Sequence, residues 1–308
     1  MKKLTLFFFL SLFLNALELI EPIKSVPYDK EKAVLGEKLF FDKILSRDNN
    51  ISCASCHKPS HGWADTEAIS VGVFGRKGVL NSPTVLNAVF NFRQLWDGTA
   101  KNLQDQADGS IHKDFEMDMT SSEIEKRLNN ITMYRDSFKK IYNTKSIQYK
   151  DVLNAIAEFE KTLITKNSKF DLFLQNKASL SKKEEQGYLL FKTLGCVTCH
   201  NGINIGGNSF QKIGIVIAYS KCDKDRYEVT KKEFDKCIYK VPTLRNIAQT
   251  APYFHDGSIK TLQGAIKKMA HHNLGYEIKI KEAGLIESFL KTLSAKKLIL
   301  PKEYIDDK

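Results

Sequence analysis

The sequence predicts a mainly α-helical fold made of two like units in series, on three observations. The pattern Cys-x-x-Cys-His occurs twice, as Cys53-Ala54-Ser55-Cys56-His57 and Cys196-Val197-Thr198-Cys199-His200. A helical stretch precedes each copy, Gly36-Glu37-Lys38-Leu39-Phe40 and Gly187-Tyr188-Leu189-Leu190-Phe191. After each copy one residue set recurs at identical spacing: Ile156, Phe159, Lys161, Thr162 and Leu163, then Ile286, Phe289, Lys291, Thr292 and Leu293. The apolar members of that set fall at i, i+3 and i+7, one face of a helix.

Each half therefore reads as helix, motif, loops and closing helix, the mark of an internal duplication. The junction falls in the polar stretch 166–183, where Ser181 is a candidate N-cap and Glu184 stands at the capping-box position. The division expected is a leader at 1–16, a first unit at 17–175 and a second unit at 176–308.

The leader comes first. Lys2 and Lys3 form a short basic region, and Leu4 to Leu14 an almost wholly apolar run. That run is short for a membrane span and fits the core of a secretory signal, with a cut near Ala16. An uncleaved anchor is the alternative. No later segment is long and apolar enough to span a bilayer, so the expected destination is the periplasm of a bacterium.

Composition bounds the rest. The chain has 308 residues, 42% hydrophobic and 27% charged, which fits an ordinary globular protein and excludes a disordered or multi-span one. The length allows two cores. The formal charge is +11, or +9 without Lys2 and Lys3. The lysines are spread along the chain. With no basic-aromatic motif, and with export, no nucleic-acid partner is expected. Two readings of the charge stand: a solvated lysine-rich surface, or steering toward an acidic partner protein.

The motifs carry the chemistry. Cys-x-x-Cys-His is the attachment signature of c-type haem. Two thiols at that spacing can form thioethers to the two vinyl groups, and the adjacent His reaches the iron. Export fits, because such haem is attached outside the cytoplasm. The competing readings are a redox dithiol and half a zinc site. Zinc needs four ligands, and a dithiol has no use for the following His. The units are thus expected to be cytochrome c-like haem domains, each with a core supplied partly by haem.

Between and after the motifs lie Asn81-Ser82-Pro83-Thr84, Trp96-Asp97-Gly98, Gln106-Ala107, Glu116-Met117, Val241-Pro242-Thr243-Leu244-Arg245-Asn246 and Tyr253-Phe254-His255-Asp256-Gly257. In this order, around two haem motifs, the sequence resembles the bacterial diheme cytochrome c peroxidases, a family that includes the MauG-like proteins. The resemblance covers nearly the whole chain after the leader.

The resemblance implies a homodimer in which one haem takes electrons from a small reduced cytochrome c or cupredoxin-like donor. The other haem reduces hydrogen peroxide to water. His57 matches the proximal ligand of the peroxidatic haem and His200 that of the electron-accepting haem. Met269 matches the distal ligand of the second haem, and Trp96 a tryptophan between the haems. Gln106 and Glu116 match polar residues of the peroxide pocket. Asn81, with the carbonyls of Thr250 and Pro252, matches a calcium site.

Physical chemistry agrees with these roles. A thioether sulfur favours ferrous iron and raises the potential of a His/Met haem. Peroxide reduction needs a group that moves a proton from the near to the far oxygen; a carboxylate such as Glu116 can do so if its pKa is suitably raised.

Departures from the family pattern are informative. Many members carry a displaceable distal His where Val73 stands, and valine cannot ligate iron. Either the first haem lacks a protein sixth ligand, or His61 or His112 substitutes. MauG-like oxidases have Tyr where Met269 stands. Methionine is also a common core filler, which leaves His271 or His272 as alternative ligands. Ser110 replaces a common proline. His255 reads as a packing or positioning residue. Cys222 and Cys237 flank a charged loop, and an exported chain favours a disulfide there.

The expected activity is reduction of hydrogen peroxide. The alternatives are a MauG-like oxidase acting on a protein, and a non-catalytic diheme electron carrier.

Overall fold

A computed structural model describes residues 19–295; the leader expected at 1–16 lies outside the described residues. Its helices are α1 (Lys30–Phe41), α2 (Cys53–Cys56), α3 (Leu103–His112), α4 (Ser121–Asn129), α5 (Thr132–Tyr142) and α6 (Tyr149–Glu160), followed by α7 (Lys169–Leu174), α8 (Lys182–Thr193), α9 (Arg226–Thr230), α10 (Leu262–Leu274) and α11 (Ile280–Lys291). Among the described residues the only sheet is antiparallel, β1 (Phe210–Lys212) on β2 (Ile238–Lys240), with Gln211 opposite Tyr239. The expectation of a mainly helical chain is met.

Local sequence sets the helix starts. Asp29 caps α1 by accepting from the Lys32 amide. Thr120 with Glu123 closes a capping box on α4, and Ser181 with Glu184 does so on α8. Each box satisfies amides that the first turn leaves without intrahelical partners.

Two large hydrophobic clusters form, with a small third of Ala88, Leu103 and Ala157. The first gathers Leu39, Phe40, Trp63, Ile156 and Phe159; the second gathers Tyr188, Phe191, Ile286, Phe289 and Ile266. In each, two helices cross so closely that a glycine is obligatory. A Cβ on Gly36 in α1 would stand 1.8 Å from the Ala155 carbonyl oxygen of α6. A Cβ on Gly187 in α8 would stand 2.0 Å from the Leu285 carbonyl oxygen of α11. Beside each crossing a phenylalanine pair meets at 5.2 Å, Phe40 on Phe159 and Phe191 on Phe289.

The likeness extends into the loops. Asn87 and Asn246 both adopt positive φ, +60° and +61°. Their amides donate to the carbonyls of Leu163 at 2.8 Å and Leu293 at 3.2 Å. Their side-chain oxygens accept from the amides of Thr165 and Ala295. Thr84 and Thr243 each donate to a loop carbonyl at 2.6 Å, of Gly62 and Asn204. Asparagine tolerates the left-handed region better than most residues, which suits it to this corner.

Early and middle segments reach across to the second cluster. Phe170 of α7 meets Tyr188 at 4.9 Å and Phe289 at 5.0 Å. Ile20 is buried in the same cluster and forms a parallel bridge to Gly202. The buried pair Arg245–Asp171, 2.8 Å apart, ties these together. Arg245 also donates to the Glu21 carbonyl at 2.7 Å, and Asp171 accepts from the Ile23 amide at 3.2 Å. Cys222 and Cys237 are joined in a disulfide, as expected.

Gly36→Ala and Gly187→Ala are expected to destabilise the holoprotein by about 1–3 kcal/mol or more, because the backbones must part. Thermal unfolding measures this, and an unchanged midpoint would show that the crossing yields freely. Replacing both Cys222 and Cys237 by Ala should cost about 3 kcal/mol, the value for a loop of this size. Denaturant unfolding of the double variant checks it.

Candidate functional site

A cavity of about 860 Å³ is lined by both halves. All four motif cysteines, His57, His200, Met269, Trp96, Gln106 and Glu116 stand on its wall. Residues predicted separately along the sequence are thus brought to one space.

The donors on that wall fit c-type haem. Burial pushes the His57 imidazole down and that of His200 down to about 4. Both rings are therefore neutral near neutral pH, the state an iron ligand needs. The backbone near Pro83 and Pro242 pulls the other way, yet neither Nδ1 makes a hydrogen bond of ordinary geometry. Burial raises the thiols, Cys53 to about 12 and Cys56 and Cys196 to about 11. A redox dithiol needs a thiol pushed down, so these cysteines suit thioether attachment instead.

The first-motif side carries Glu116 and Gln106. The Glu116 carboxylate pairs with Lys113 at 3.0 Å, and its charge acts on Cys53, Cys56 and His57. Gln106 in α3 donates through Nε2 to the Ser110 hydroxyl at 3.1 Å. The serine that replaces a common proline therefore holds the pocket amide. Both partners lie on one face of α3, four residues apart.

Trp96 sits where the halves meet. Its indole N–H donates to the Asn81 carbonyl at 2.9 Å, and its own carbonyl accepts from the Lys240 amide at 2.7 Å. Its ring stands edge-on to Tyr239 at 6.5 Å and to His255 at 6.2 Å. His255 stacks on Tyr239 at 4.3 Å and meets the Lys221 carbonyl at 2.8 Å.

Neither candidate sixth ligand of the first haem, His61 or His112, reaches the wall, and nor does Val73. Val73 is fully buried, and its amide donates to the Glu116 carbonyl at 2.9 Å. His61 is hydrogen-bonded to the Ala251 carbonyl, and His112 to the Asp108 carbonyl at 2.9 Å. On the second-motif side Met269 faces the cavity from α10. Its neighbours do not: His271 pairs with Glu277, and His272 meets the Ile217 carbonyl at 2.9 Å.

Asn81, Thr250 and Pro252 border the same cavity. Asn81 is buried; its Nδ2 donates to the Glu67 and Ala68 carbonyls, both at 3.2 Å, and its amide to the His255 carbonyl at 2.7 Å. Among the described residues no three His, Cys, Asp or Glu side chains converge on a metal position.

Sequence reasoning missed two wall residues. Lys240 is buried and pushed down to about 8 by that burial, and no ion pair forms on it among the described residues. It suits the carboxylate edge of a haem. Glu160 is buried on the wall beside Cys53. Its signal was available: Glu160 occupies the place that Leu290 holds in the second recurrence.

A helical chain with two Cys-x-x-Cys-His motifs opening on one cavity, each with a buried neutral histidine, defines a c-type cytochrome with two haem sites. The pattern of the di-haem cytochrome c peroxidase family matches residues 30–179. The chain is 44% identical to cytochrome c551 peroxidase of Nitrosomonas europaea, over 90% of this chain and 84% of that protein. It is 42% identical to cytochrome c peroxidase Ccp of Escherichia coli, over 90% of this chain and 61% of that protein. The crystal structure of a MauG-like protein associated with microbial copper homeostasis superimposes with a TM-score of 0.82, at 25% identity over 93% of this chain and 96% of that one. The chain belongs to the di-haem cytochrome c peroxidase family.

Membership of that family implies two c-type haems, one for each motif. Replacing Cys196 and Cys199 by Ser should leave a chain whose intact mass carries one covalent haem, and the same change at Cys53 and Cys56 should do likewise. Two haems remaining in either variant would contradict the assignment.

Proposed function

We propose that this protein reduces hydrogen peroxide to water, using two electrons from a reduced small cytochrome c or cupredoxin-like donor. The observation that carries this reading is the asymmetry of one cavity. Its first-motif side holds Glu116 and Gln106, and its second-motif side holds Met269. A pure electron carrier needs no such proton-handling groups.

A haem held at Cys53, Cys56 and His57 would supply the iron chemistry for O–O cleavage. Glu116 then takes the proton from the near peroxide oxygen and returns it to the far one, so that water leaves rather than hydroxide. Lys113 positions the Glu116 carboxylate. Gln106, fixed by Ser110, orients the peroxide by hydrogen bonding. Val73, His61 and His112 stand off the wall, which supports a first site that needs no ligand displacement. On the other side Cys196, Cys199, His200 and Met269 would hold the electron-accepting group, whose reduced state a thioether sulfur such as that of Met269 would favour. Trp96, bonded to both halves, lies on the path between them.

Further parts of the reading rest on the family resemblance. A calcium ion bound by Asn81 and the carbonyls of Thr250 and Pro252 would brace the junction. Homodimerisation, export to the periplasm after removal of 1–16, and a division into units 17–175 and 176–308 complete it. The matched glycine crossings and asparagine corners support descent of the two units from one duplicated haem domain. In this scheme α7 and the segment near Ile20 belong to the first unit by sequence and pack on the second. A MauG-like oxidase is the second reading, supported by the similarity to a MauG-like structure; Met269 on the wall, where such oxidases have Tyr, weighs against it.

Stopped-flow turnover with a reduced monohaem cytochrome c tests the proposal. Fast turnover is expected from the fully oxidised holoprotein as well as after one-electron reduction. Absence of turnover in both states would overturn the peroxidase reading. Glu116→Gln should lower kcat by about 10²–10⁴ with haem content unchanged; a kcat near wild type would remove Glu116 from proton transfer.

A further inference from the structure

Glu160 is a costly residue for its position. It ends α6, 2% exposed, where the helix dipole disfavours negative charge. Its Oε2 meets no hydrogen-bond partner, and no cation pairs with it among the described residues. The adjacent Lys161 turns instead to Glu158, at 2.6 Å. A buried carboxyl left unsatisfied opposes folding.

The second half shows that the helix does not require it. Leu290 occupies the equivalent place in α11 and lines the same cavity, 4% exposed. The chemical difference lies beside the first motif. After burial, the Glu160 charge is the leading cause that raises the Cys53 thiol. No carboxylate contributes at Cys196.

We propose that Glu160 compensates charge at the first-motif haem: a carboxylate while that iron is ferric, it takes up one proton from solvent when the iron accepts one electron from the donor. One O–H bond forms on Glu160 as one breaks in a solvent hydronium ion, and the net charge of the buried site stays constant. An electron arriving in a low-dielectric site without a proton is opposed by any fixed negative charge nearby. Reduction of the first haem therefore carries a proton, and reduction of the second, with Leu290 in place of a carboxyl, does not. The inference rests on the assignment of a haem to each motif but not on peroxide chemistry.

The surroundings leave Glu160 free to respond. The charged groups on the elements packed against α6 are Lys30, Glu31, Lys32, Glu37 and Lys38 of α1, Asp105, Asp108 and His112 of α3, and Glu123, Glu125, Lys126 and Arg127 of α4. None of them perturbs it: burial alone raises its carboxyl to about 8, and the positive charge of a ferric haem beside it would lower that value until the iron is reduced. Glu116, another carboxylate on the cavity wall, is held by Lys113.

The test is a spectroelectrochemical titration of each haem in the holoprotein, from about pH 6 to about pH 9, without peroxide. The first-haem potential should fall by up to about 59 mV per pH unit, the one-electron value of a tenfold change, while the second stays flat. Glu160→Gln, of the same shape, and Glu160→Leu, which copies the second half, should both flatten the first-haem line. Leu290→Glu should confer a slope on the second. A slope that survives in Glu160→Gln, or a flat first-haem line in the wild type, overturns the proposal. Loss of turnover with the slope intact would sink the peroxidase reading and leave this one standing.

Discussion

Two helices can approach until their backbones touch only where one of them lacks a Cβ. That constraint organises this molecule twice, at Gly36 against Ala155 and at Gly187 against Leu285. Each close crossing aligns a phenylalanine pair and fixes where the closing helix ends. The end of that helix is the cavity wall: Glu160 and Leu290 stand there because α6 and α11 are held at one height by their glycine partners. The two asparagine corners then set the loops that carry Pro83 and Pro242 past the motif histidines. The site is thus built by backbone contacts that leave little room for side-chain adjustment.

Within matched frames, chemistry differs by few side chains. The first wall has a carboxyl, a carboxylate held by a lysine, and an amide held by a serine. The second wall has Leu290 where the first has the carboxyl, and Met269. A frame that fixes geometry lets such differences act on charge and proton position rather than on shape. Lys240 and Trp96 belong to neither wall alone; the 2.7 Å bond from the Lys240 amide to the Trp96 carbonyl stitches the strand pair to the first half.

The parts of this arrangement visible in the sequence are those written in local spacing. The haem motifs, the glycine-to-phenylalanine step and the i, i+3, i+7 set each lie within one element, so their meaning survives without a fold. Met269 was readable only through the family resemblance, since one methionine among two histidines is ambiguous by itself. The asparagine corners went unread because positive φ is a property of the surroundings as much as of the residue. Glu160 and Lys240 went unread because a charged residue at the end of a helix or strand ordinarily faces water. The reach of Ile20 and Phe170 into the second cluster is a long-range pairing with no local trace.

That reach bears on the order in which the chain can fold. The segment around Ile20 to Ile23 is made early, yet its partners, Asp171 and Arg245, are joined to it by hydrogen bonds spanning 148 and 224 positions. Contacts of such separation close late and slowly, because the loop entropy must be met before they form. A chain emerging from its N-terminus would complete the first cluster while this strap still hung free. The second half, whose buried arginine needs the Glu21 carbonyl, is therefore the part whose maturation waits for the whole polypeptide.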